Sequence, residues 1–249
     1  MGLIEKDTFI CFDLETTGLD PVNDAPIEIA VVKFTLSETL EAYETLIDPE
    51  MPISEVSKSI HHIDESMVVG KPKIAEVLPD IFKMIDRHVL VGHGIGLDVA
   101  FLVEAAKRFK IPCSIGSRPQ LDTLRLARLY GESPVNSLES LRRHFNIPAE
   151  GAHRAMSDVI VNIAVFKQLS RGYKTTEQML ERLKKPIQLK LMPLGKHKGR
   201  PFSELPIEYL QWAAHKDFDQ DLLFSIRSEL KRRKGASSFK QAANPFSTL

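Results

Sequence analysis

The sequence lacks any apolar run approaching the roughly 18 residues that a membrane-spanning helix needs, so no membrane partner is expected. It contains only two cysteines, Cys11 and Cys113, and they form no Cys-x-x-Cys pair. That scarcity excludes a disulfide framework, argues against a structural zinc site, and suits a reducing, cytoplasmic location. Charged residues interrupt the N-terminus before any apolar core develops, so a secretory signal is not expected either.

The sequence also has no net charge, since 33 basic residues balance 33 acidic ones, but the basic and acidic residues are unevenly distributed along the chain. Residues 1–185 carry 22 Lys and Arg against 27 Asp and Glu, whereas residues 186–249 carry 11 against 6. This asymmetry is typical of an acidic, metal-binding body with a basic appendage for a polyanionic partner. The alternative is a small C-terminal unit that is merely rich in lysine.

Hydrophobic periodicity predicts three strands, followed by alternating helices and strands. The first strands are expected at residues 8–14, 27–34 and 39–47, and the short connections indicate antiparallel pairing. Two more strands are expected at residues 88–92 and 121–123, between segments with helical spacing of their apolar residues. The order predicts an α/β fold in which helices flank a mixed five-stranded sheet.

The chain divides by pattern into four segments. They are a large domain over residues 1–172, a linker helix over 173–188, a small basic domain over 189–235 and a disordered tail over 236–249. The small domain is expected to begin with a hairpin over residues 188–202 and to continue with two helices. Its only tryptophan, Trp212, is predicted to pack in the core rather than to stack on bases.

Two acidic residues, Asp13 and Glu15, lie two positions apart on the first predicted strand, so their side chains leave the same face. An isolated pair of this kind is usually a solvated strand end. Here the pair directly follows the apolar run Phe9–Phe12, where unpaired charges are costly. Ligation by carboxylates alone favours a hard cation, Mg²⁺ or Mn²⁺.

Three motifs resemble those of the DEDD 3′–5′ exonucleases, the proofreading-subunit superfamily with a ribonuclease H-like fold. Residues 13–18 (DLETTG) resemble the first motif, and residues 92–98 (GHGIGLD) resemble the second. Residues 153–158 (HRAMSD) resemble the third motif in the form typical of the histidine subclass. The resemblance covers about residues 8–170, and it departs from the usual pattern at Gly94 and Leu97, where Asn and Phe are common.

The resemblance implies hydrolysis with two divalent metal ions, Mg²⁺ or Mn²⁺. Asp13 would bridge both ions, Glu15 and Asp158 would hold the ion that carries the attacking water, and Asp98 would serve the second ion. His153 would be the general base, since an unperturbed imidazole pKa of about 6.5 allows it to accept a proton near neutrality. A histidine five residues before Asp158 can reach the same place only from the loop that precedes the helix.

The resemblance also implies contacts with the substrate. The backbone of Thr16, Thr17 and Gly18 would face the terminal nucleotide, Leu19 would border the last base, and His61, within residues 60–63 (IHHI), would contact that nucleotide. Residues 189–234 resemble the small C-terminal domain of exodeoxyribonuclease X-like enzymes. There the basic residues of a tight turn are expected to bind phosphates; they are Lys196, Lys198 and Arg200.

Together these features predict a 3′–5′ exodeoxyribonuclease that releases nucleoside monophosphates from single-stranded DNA 3′ ends in repair or proofreading. Two alternatives remain open: an exoribonuclease with the same chemistry, and a non-catalytic subunit associated with a DNA polymerase. Residues 241–246 (QAANPF) faintly resemble a peptide that binds a sliding clamp, although Asn244 occupies an expected apolar position.

Overall fold

A computed structural model describes residues 3–133, 135–148 and 154–242, and their side chains as far as Lys234. The chain divides into two compact units, the first ending at Leu183 and the second beginning at Lys184. No helix in the part of the chain that the structure describes is long and apolar enough to span a membrane. Both cysteines are free thiols, with Cys11 buried and Cys113 exposed.

The first unit is built on one five-stranded sheet, whose strand order is β3-β2-β1-β4-β5. The strands are β1 (Phe9–Thr16), β2 (Pro26–Phe34), β3 (Thr39–Leu46), β4 (Val89–Gly92) and β5 (Gln120–Asp122). β2 pairs antiparallel with both β1 and β3, whereas β4 pairs parallel with β1 and β5. The predicted mixed sheet is therefore confirmed. No residue of β1 or β2 is exposed, because helices cover both of their faces.

The helices of the first unit follow the strands in the predicted alternation. They are α1 (Glu55–His61), α2 (Glu65–Val68), α3 (Ile74–Ile85), α4 (Gly96–Arg108), α5 (Thr123–Tyr130), α6 (Leu138–His144), α7 (Ala155–Ser170) and α8 (Thr176–Leu183). Alternate residues of β1 face opposite helical layers. Ile10, Phe12 and Leu14 lie in a core with α3 and α4, while Phe9 contacts Phe166 of α7.

The helix expected to act as a linker packs within the first unit. Thr176 donates a side-chain hydrogen bond to the Asp7 carboxylate, and the Ile4 N–H donates to the Lys174 carbonyl at 3.0 Å. Met179 on α8 is fully buried. The helical periodicity was visible in the sequence, but the docking depends on the N-terminal segment, which lies far away along the chain.

The second unit contains a short 3₁₀ turn at Gly195–His197 and two helices, α9 (Ile207–Ala213) and α10 (Gln220–Ala242). The predicted hairpin is reduced to one bridge between Leu191 and Pro201, with the Met192 N–H donating to the Arg200 carbonyl at 2.9 Å. The ladder is no longer than this because proline has no backbone N–H to donate and because Gly195 and Gly199 have positive φ angles, which do not fit an extended strand. Its core contains Leu189, Met192, Phe202, Leu205, Leu210, Ala213, Leu222 and Ile226.

Two further expectations for the second unit were wrong. Trp212 does not pack in the core, since its side chain is 52% exposed. The tail predicted to be disordered from residue 236 is helical as far as Ala242, because no proline interrupts α10 there and alanine, lysine and glutamine favour helix. Residues 243–249, which include most of the faint clamp-peptide resemblance, lie outside the described residues.

An aromatic triad joins the sheet to α7 and provides a test of this packing. The ring of Phe9 lies 5.5 Å from that of Phe34 and 5.1 Å from that of Phe166, measured between centroids. Phe166→Ala should lower the free energy of unfolding by about 3–5 kcal/mol, because it leaves a cavity between the layers. Urea denaturation followed by circular dichroism measures the change. The exposed Phe109 is the control, and its replacement by Ala should cost within about 0.5 kcal/mol.

Candidate active site

Acidic side chains from β1 and α7 converge at one end of the sheet. Asp13 and Glu15 continue the face of β1 that carries Phe9 and Cys11, and this face is covered by α7. Asp158 lies in the first turn of α7, so it meets them there. One carboxylate oxygen from each of the three lies within 4.8 Å of the others. The structure thus brings together three of the four predicted metal ligands in one potential cation site.

The fourth acid, Asp98, reaches the same strand from the other side. β4 pairs with β1 only as far as Cys11 opposite Val91, so the Leu14 N–H lies beyond the end of that ladder. Asp98, in the first turn of α4, accepts a hydrogen bond from this N–H at 3.2 Å. A negative charge is favourable in the first turn because it meets the positive end of the helix dipole.

The turn between β4 and α4 has the geometry that Asp98 requires. Gly94 has a φ of 72°, a conformation that L residues other than Asn and Asp rarely adopt, so glycine suits the position where Asn is common in the resemblance. Its N–H donates to the Asp122 carboxylate at 2.9 Å. A Cβ atom at Gly92 would lie 2.7 Å from the Ile95 side chain, so this glycine allows the close approach of the first residues of α4.

Burial and mutual repulsion change the protonation of these acids. Burial raises the pKa of Asp13 well above its usual value, and the charges of Asp98, Glu15 and Asp158 raise it further. Burial, followed by the charges of Asp158 and Glu28, raises the pKa of Glu15 to about 7. Burial also raises the pKa of Asp98 to about 7, although backbone N–H groups oppose the rise. A divalent cation favours the ionised forms, so its binding would release protons.

An ion pair that the sequence analysis missed fixes the start of α7. Glu28 of β2 lies opposite Glu15 in the strand register and is completely buried. Arg154 donates to the Glu28 carboxylate through Nε and Nη2, and the Ala155 N–H donates to it at 3.0 Å. The pair therefore ties the N-terminus of the helix that carries Asp158 to the sheet. The sequence signal that could have predicted this ion pair was the acidic Glu28 within the largely apolar strand predicted over residues 27–34.

The predicted nucleotide contacts lie in the turn after β1, and the structure contradicts one of them. The Thr17 N–H donates to the Ala25 carbonyl at 2.9 Å, and the Thr17 hydroxyl donates to the Asp24 carboxylate at 3.1 Å. Thr17 is buried and all of its donors are used within the turn, so its amide cannot face a nucleotide. A Cβ at Gly18 would lie 2.3 Å from the Asp24 carboxylate, which explains the glycine.

The other predicted contacts have different exposures. Leu19 is 79% exposed, whereas Thr16 is only partly exposed. The His61 ring is 2% exposed: its Nδ1 accepts from the Ile63 N–H at 3.0 Å, and its Nε2 has no partner among the described residues. A nucleotide could reach His61 only if the ring were uncovered. Burial also lowers the pKa of this imidazole.

Not every predicted site residue can be placed beside the acids. His153 lies outside the described residues, so its role as a base stays a prediction. Helix α7 begins at Ala155. Lys196, Lys198 and Arg200 are exposed and belong to the second unit.

A mixed sheet that gathers acidic side chains at the end of its first strand defines the ribonuclease H-like class of α/β proteins. The exonuclease family model, RNase_T, matches residues 10–166. Because this match covers more than half of the sequence, the chain belongs to that exonuclease family, and the resemblance to the DEDD 3′–5′ exonuclease superfamily is confirmed. A second model, for a putative quorum-sensing-regulated virulence factor, matches residues 179–226.

Relatives of known sequence include DNA polymerases. The chain is 36% identical over 159 residues to the PolC-type DNA polymerase III of Caldanaerobacter subterraneus subsp. tengcongensis, a match covering 64% of this chain. It is 34% identical over 157 residues to that of Bacillus subtilis, a match covering 63% of this chain. The chain spans only 11% of the length of either polymerase.

Solved structures with the same fold include nucleases bound to DNA. Exonuclease X in complex with 5′ overhanging duplex DNA is 26% identical, with a TM-score of 0.55 over 70% of this chain and 98% of that chain. Exonuclease I of E. coli, with zinc and single-stranded DNA, has a TM-score of 0.61 over 72% of this chain and 43% of that chain. At 19% identity, the latter shows the fold alone.

The raised pKa values predict how stability depends on pH. Between about pH 4 and the raised value of about 7, the folded chain binds more protons at Glu15 and Asp98 than the unfolded chain does. The melting temperature in EDTA should therefore fall as pH rises through this window, and Mg²⁺ should reverse the fall. Differential scanning calorimetry of wild type and Glu15→Gln measures it, and the variant should show a shallower fall. Parallel curves for the two proteins would contradict the expectation, and the exposed Glu41→Gln is the control.

The buried ion pair predicts a second change in stability. Glu28→Gln should lower the free energy of unfolding by about 1–3 kcal/mol, the cost of losing charged hydrogen bonds to Arg154 and Ala155. Arg154→Lys should cost less, because a lysine keeps the charge but loses the planar fork. Urea denaturation measures both variants, and wild-type stability in Glu28→Gln would show that the pair does not hold α7.

Proposed function

We propose that this chain is a 3′–5′ exonuclease that hydrolyses the terminal phosphodiester bond of DNA and releases nucleoside monophosphates. The observation that carries the proposal is the convergence of Asp13, Glu15 and Asp158, with ligand atoms within 4.8 Å of one another, in a member of an exonuclease family. Asp98 adds a fourth carboxylate at the same strand. Such a set of partly buried acids is unfavourable as a purely structural feature, and this supports a catalytic use.

The acidic cluster fits the two divalent cations that the exonuclease resemblance implies. All of its ligand atoms are carboxylate oxygens, which suit Mg²⁺ or Mn²⁺ better than a soft metal. Asp13, Glu15 and Asp158 would hold one ion, and Asp13 with Asp98 would hold the other. When bound, such ions activate water and neutralise charge on the phosphoryl oxygens. In this proposal the carboxylates hold the ions in place, and His153 accepts the proton of the attacking water.

DNA is the substrate that the comparisons favour, since exonuclease X was solved with DNA and the PolC-type relatives are DNA polymerases. These relatives also support a role in proofreading or repair beside a polymerase. The same chemistry on RNA is the second candidate, and discrimination depends on what meets the 2′-hydroxyl. A non-catalytic binding subunit is less favoured, because such a protein would not need the converging acids.

The two units are proposed to divide the work. Residues 1–172 would form the nuclease domain, and residues 189–235 would form a small domain that binds the nucleic-acid backbone. Lys196, Lys198 and Arg200 support this role, because they are exposed on one short segment of the second unit. Each could neutralise a phosphate and contribute to a salt-dependent affinity.

A degradation assay tests the proposal. Matched DNA and RNA oligonucleotides, each labelled at the 5′ end, are incubated with the full chain and Mn²⁺ or EDTA. Wild type should shorten DNA from the 3′ end with Mn²⁺ but not with EDTA. Asp13→Asn should reduce the rate by far more than about tenfold, which corresponds to ~1.4 kcal/mol of barrier.

Two further variants sharpen the result. His153→Ala should lower the rate by roughly 10²–10⁴ and remove the rise in rate from about pH 6 to 8. Glu41→Gln, which removes an exposed carboxylate of β3, should cleave like wild type. Rapid DNA cleavage by Asp13→Asn would overturn the assignment of the site, and faster cleavage of RNA than of DNA would favour the second candidate.

A further inference from the structure

The second unit carries two neighbouring aromatic rings between two lysines, one exposed (Trp212) and one partly buried (Tyr209). Tyr209 and Trp212, on α9, have ring centroids 5.5 Å apart and planes inclined by 36°. The Lys196 ammonium lies 5.5 Å from the Tyr209 ring, and the Lys216 ammonium lies 4.9 Å from the Trp212 ring. We call these four residues the aromatic row.

Neighbouring residues of the second unit fix the positions of the side chains in the aromatic row. The His197 ring packs edge-on against Tyr209, with centroids 4.4 Å apart. A Cβ atom at Gly195 would lie 3.5 Å from the Tyr209 hydroxyl, so the 3₁₀ turn at Gly195–His197 passes directly over this side chain. The turn therefore fixes Lys196 and Tyr209 relative to each other. The neighbours of Trp212 on α9, Leu210 and Ala213, are buried in the core of the unit.

The charge of the surface is suited to a polyanion. Among the described residues, no acidic group forms an ion pair with Lys196, Lys198 or Lys216. Lys198 follows Lys196 on the same exposed segment and extends the positive charge beyond the row, whereas Arg200 is paired with Glu204 at 3.9 Å. An apolar protein surface placed here would remove these ammonium groups from water without pairing them, which is unfavourable.

We propose that the aromatic row binds single-stranded nucleic acid by stacking unpaired bases on Tyr209 and Trp212, while the flanking lysines contact the phosphates. Aromatic rings at the surface beside basic side chains are the features that bind single strands with little regard to sequence, because every base presents a π-face. The inference deepens the proposed nuclease function and rests on it for the biological substrate. The chemistry of the row itself applies equally to DNA and RNA.

Intrinsic fluorescence offers a direct test, because Trp212 is the only tryptophan in the chain. The full chain in EDTA, where no cleavage is expected, is titrated with oligothymidylate or oligouridylate and excited where tyrosine does not absorb. Stacking should quench Trp212 in a saturable way. Anisotropy of a 5′-labelled oligonucleotide gives the affinity in parallel. If the oligonucleotide binds without changing the fluorescence, the proposal is overturned.

Substitutions separate stacking from folding and from general charge. Trp212→Ala should weaken binding by between about 5-fold and 100-fold, whereas Trp212→Phe, which keeps a ring, should restore most of it. Lys196→Gln combined with Lys216→Gln should reduce the slope of log affinity against log salt by about 1.4. The matched controls are Phe224→Ala and Lys231→Gln, which remove an exposed ring and an exposed charge of α10. Equal losses in controls and row variants would overturn the proposal.

The design separates failure of the row from failure of the nuclease assignment. Quenching by oligonucleotides in a chain that cannot cleave them would support the row and contradict only the proposed activity. Cleavage of DNA without quenching of Trp212 would support the proposed activity and contradict only the role of the row. Poly-glutamate is the probe for a general acidic partner, and quenching as strong as that by the oligonucleotides would overturn base stacking.

Discussion

Repulsion among partly buried carboxylates is the constraint on which the first unit depends. Burial raises the pKa values of Asp13, Glu15 and Asp98, and the charge of Asp98 raises those of Asp13 and Glu15 further, so the three cannot all be ionised cheaply at neutral pH without a cation. The fold holds them together against this cost. Glu28 and Arg154 contribute by fixing the start of α7, because one buried carboxylate accepts hydrogen bonds from both a guanidinium and a helix N-terminus.

Unequal strand lengths create the place where the acids meet. β1 continues beyond the end of its pairing with β4, and the first turn of α4 supplies Asp98 to the Leu14 N–H that β4 leaves free. On the face that carries Asp13 and Glu15, the same stretch of β1 lies beneath the start of α7. One strand end therefore receives side chains from two helices, and Gly92, the last residue of β4, permits the close approach of the first residues of α4.

The second unit is organised by a different physical principle. Its core is small and apolar, and its positive charge is exposed, so its surface is suited to a polyanion rather than to a reaction. Local geometry concentrates cations and rings on the face of α9 that the 3₁₀ turn at Gly195–His197 crosses. In the proposed enzyme, the first unit carries the chemistry and the second increases the affinity for the strand.

The sequence by itself determined the mixed sheet and the shared face of Asp13 and Glu15, because strand periodicity and short connections are local properties. Tertiary structure alone decided that Glu28 anchors α7 and that the hydrogen-bond donors of Thr17 are used within its own turn. It also decided that α8 packs on the first unit and that Trp212 is exposed. Each of these depends on which distant segment supplies a partner or leaves a surface uncovered. Periodicity reports which side of an element is apolar, but it does not report what covers that side.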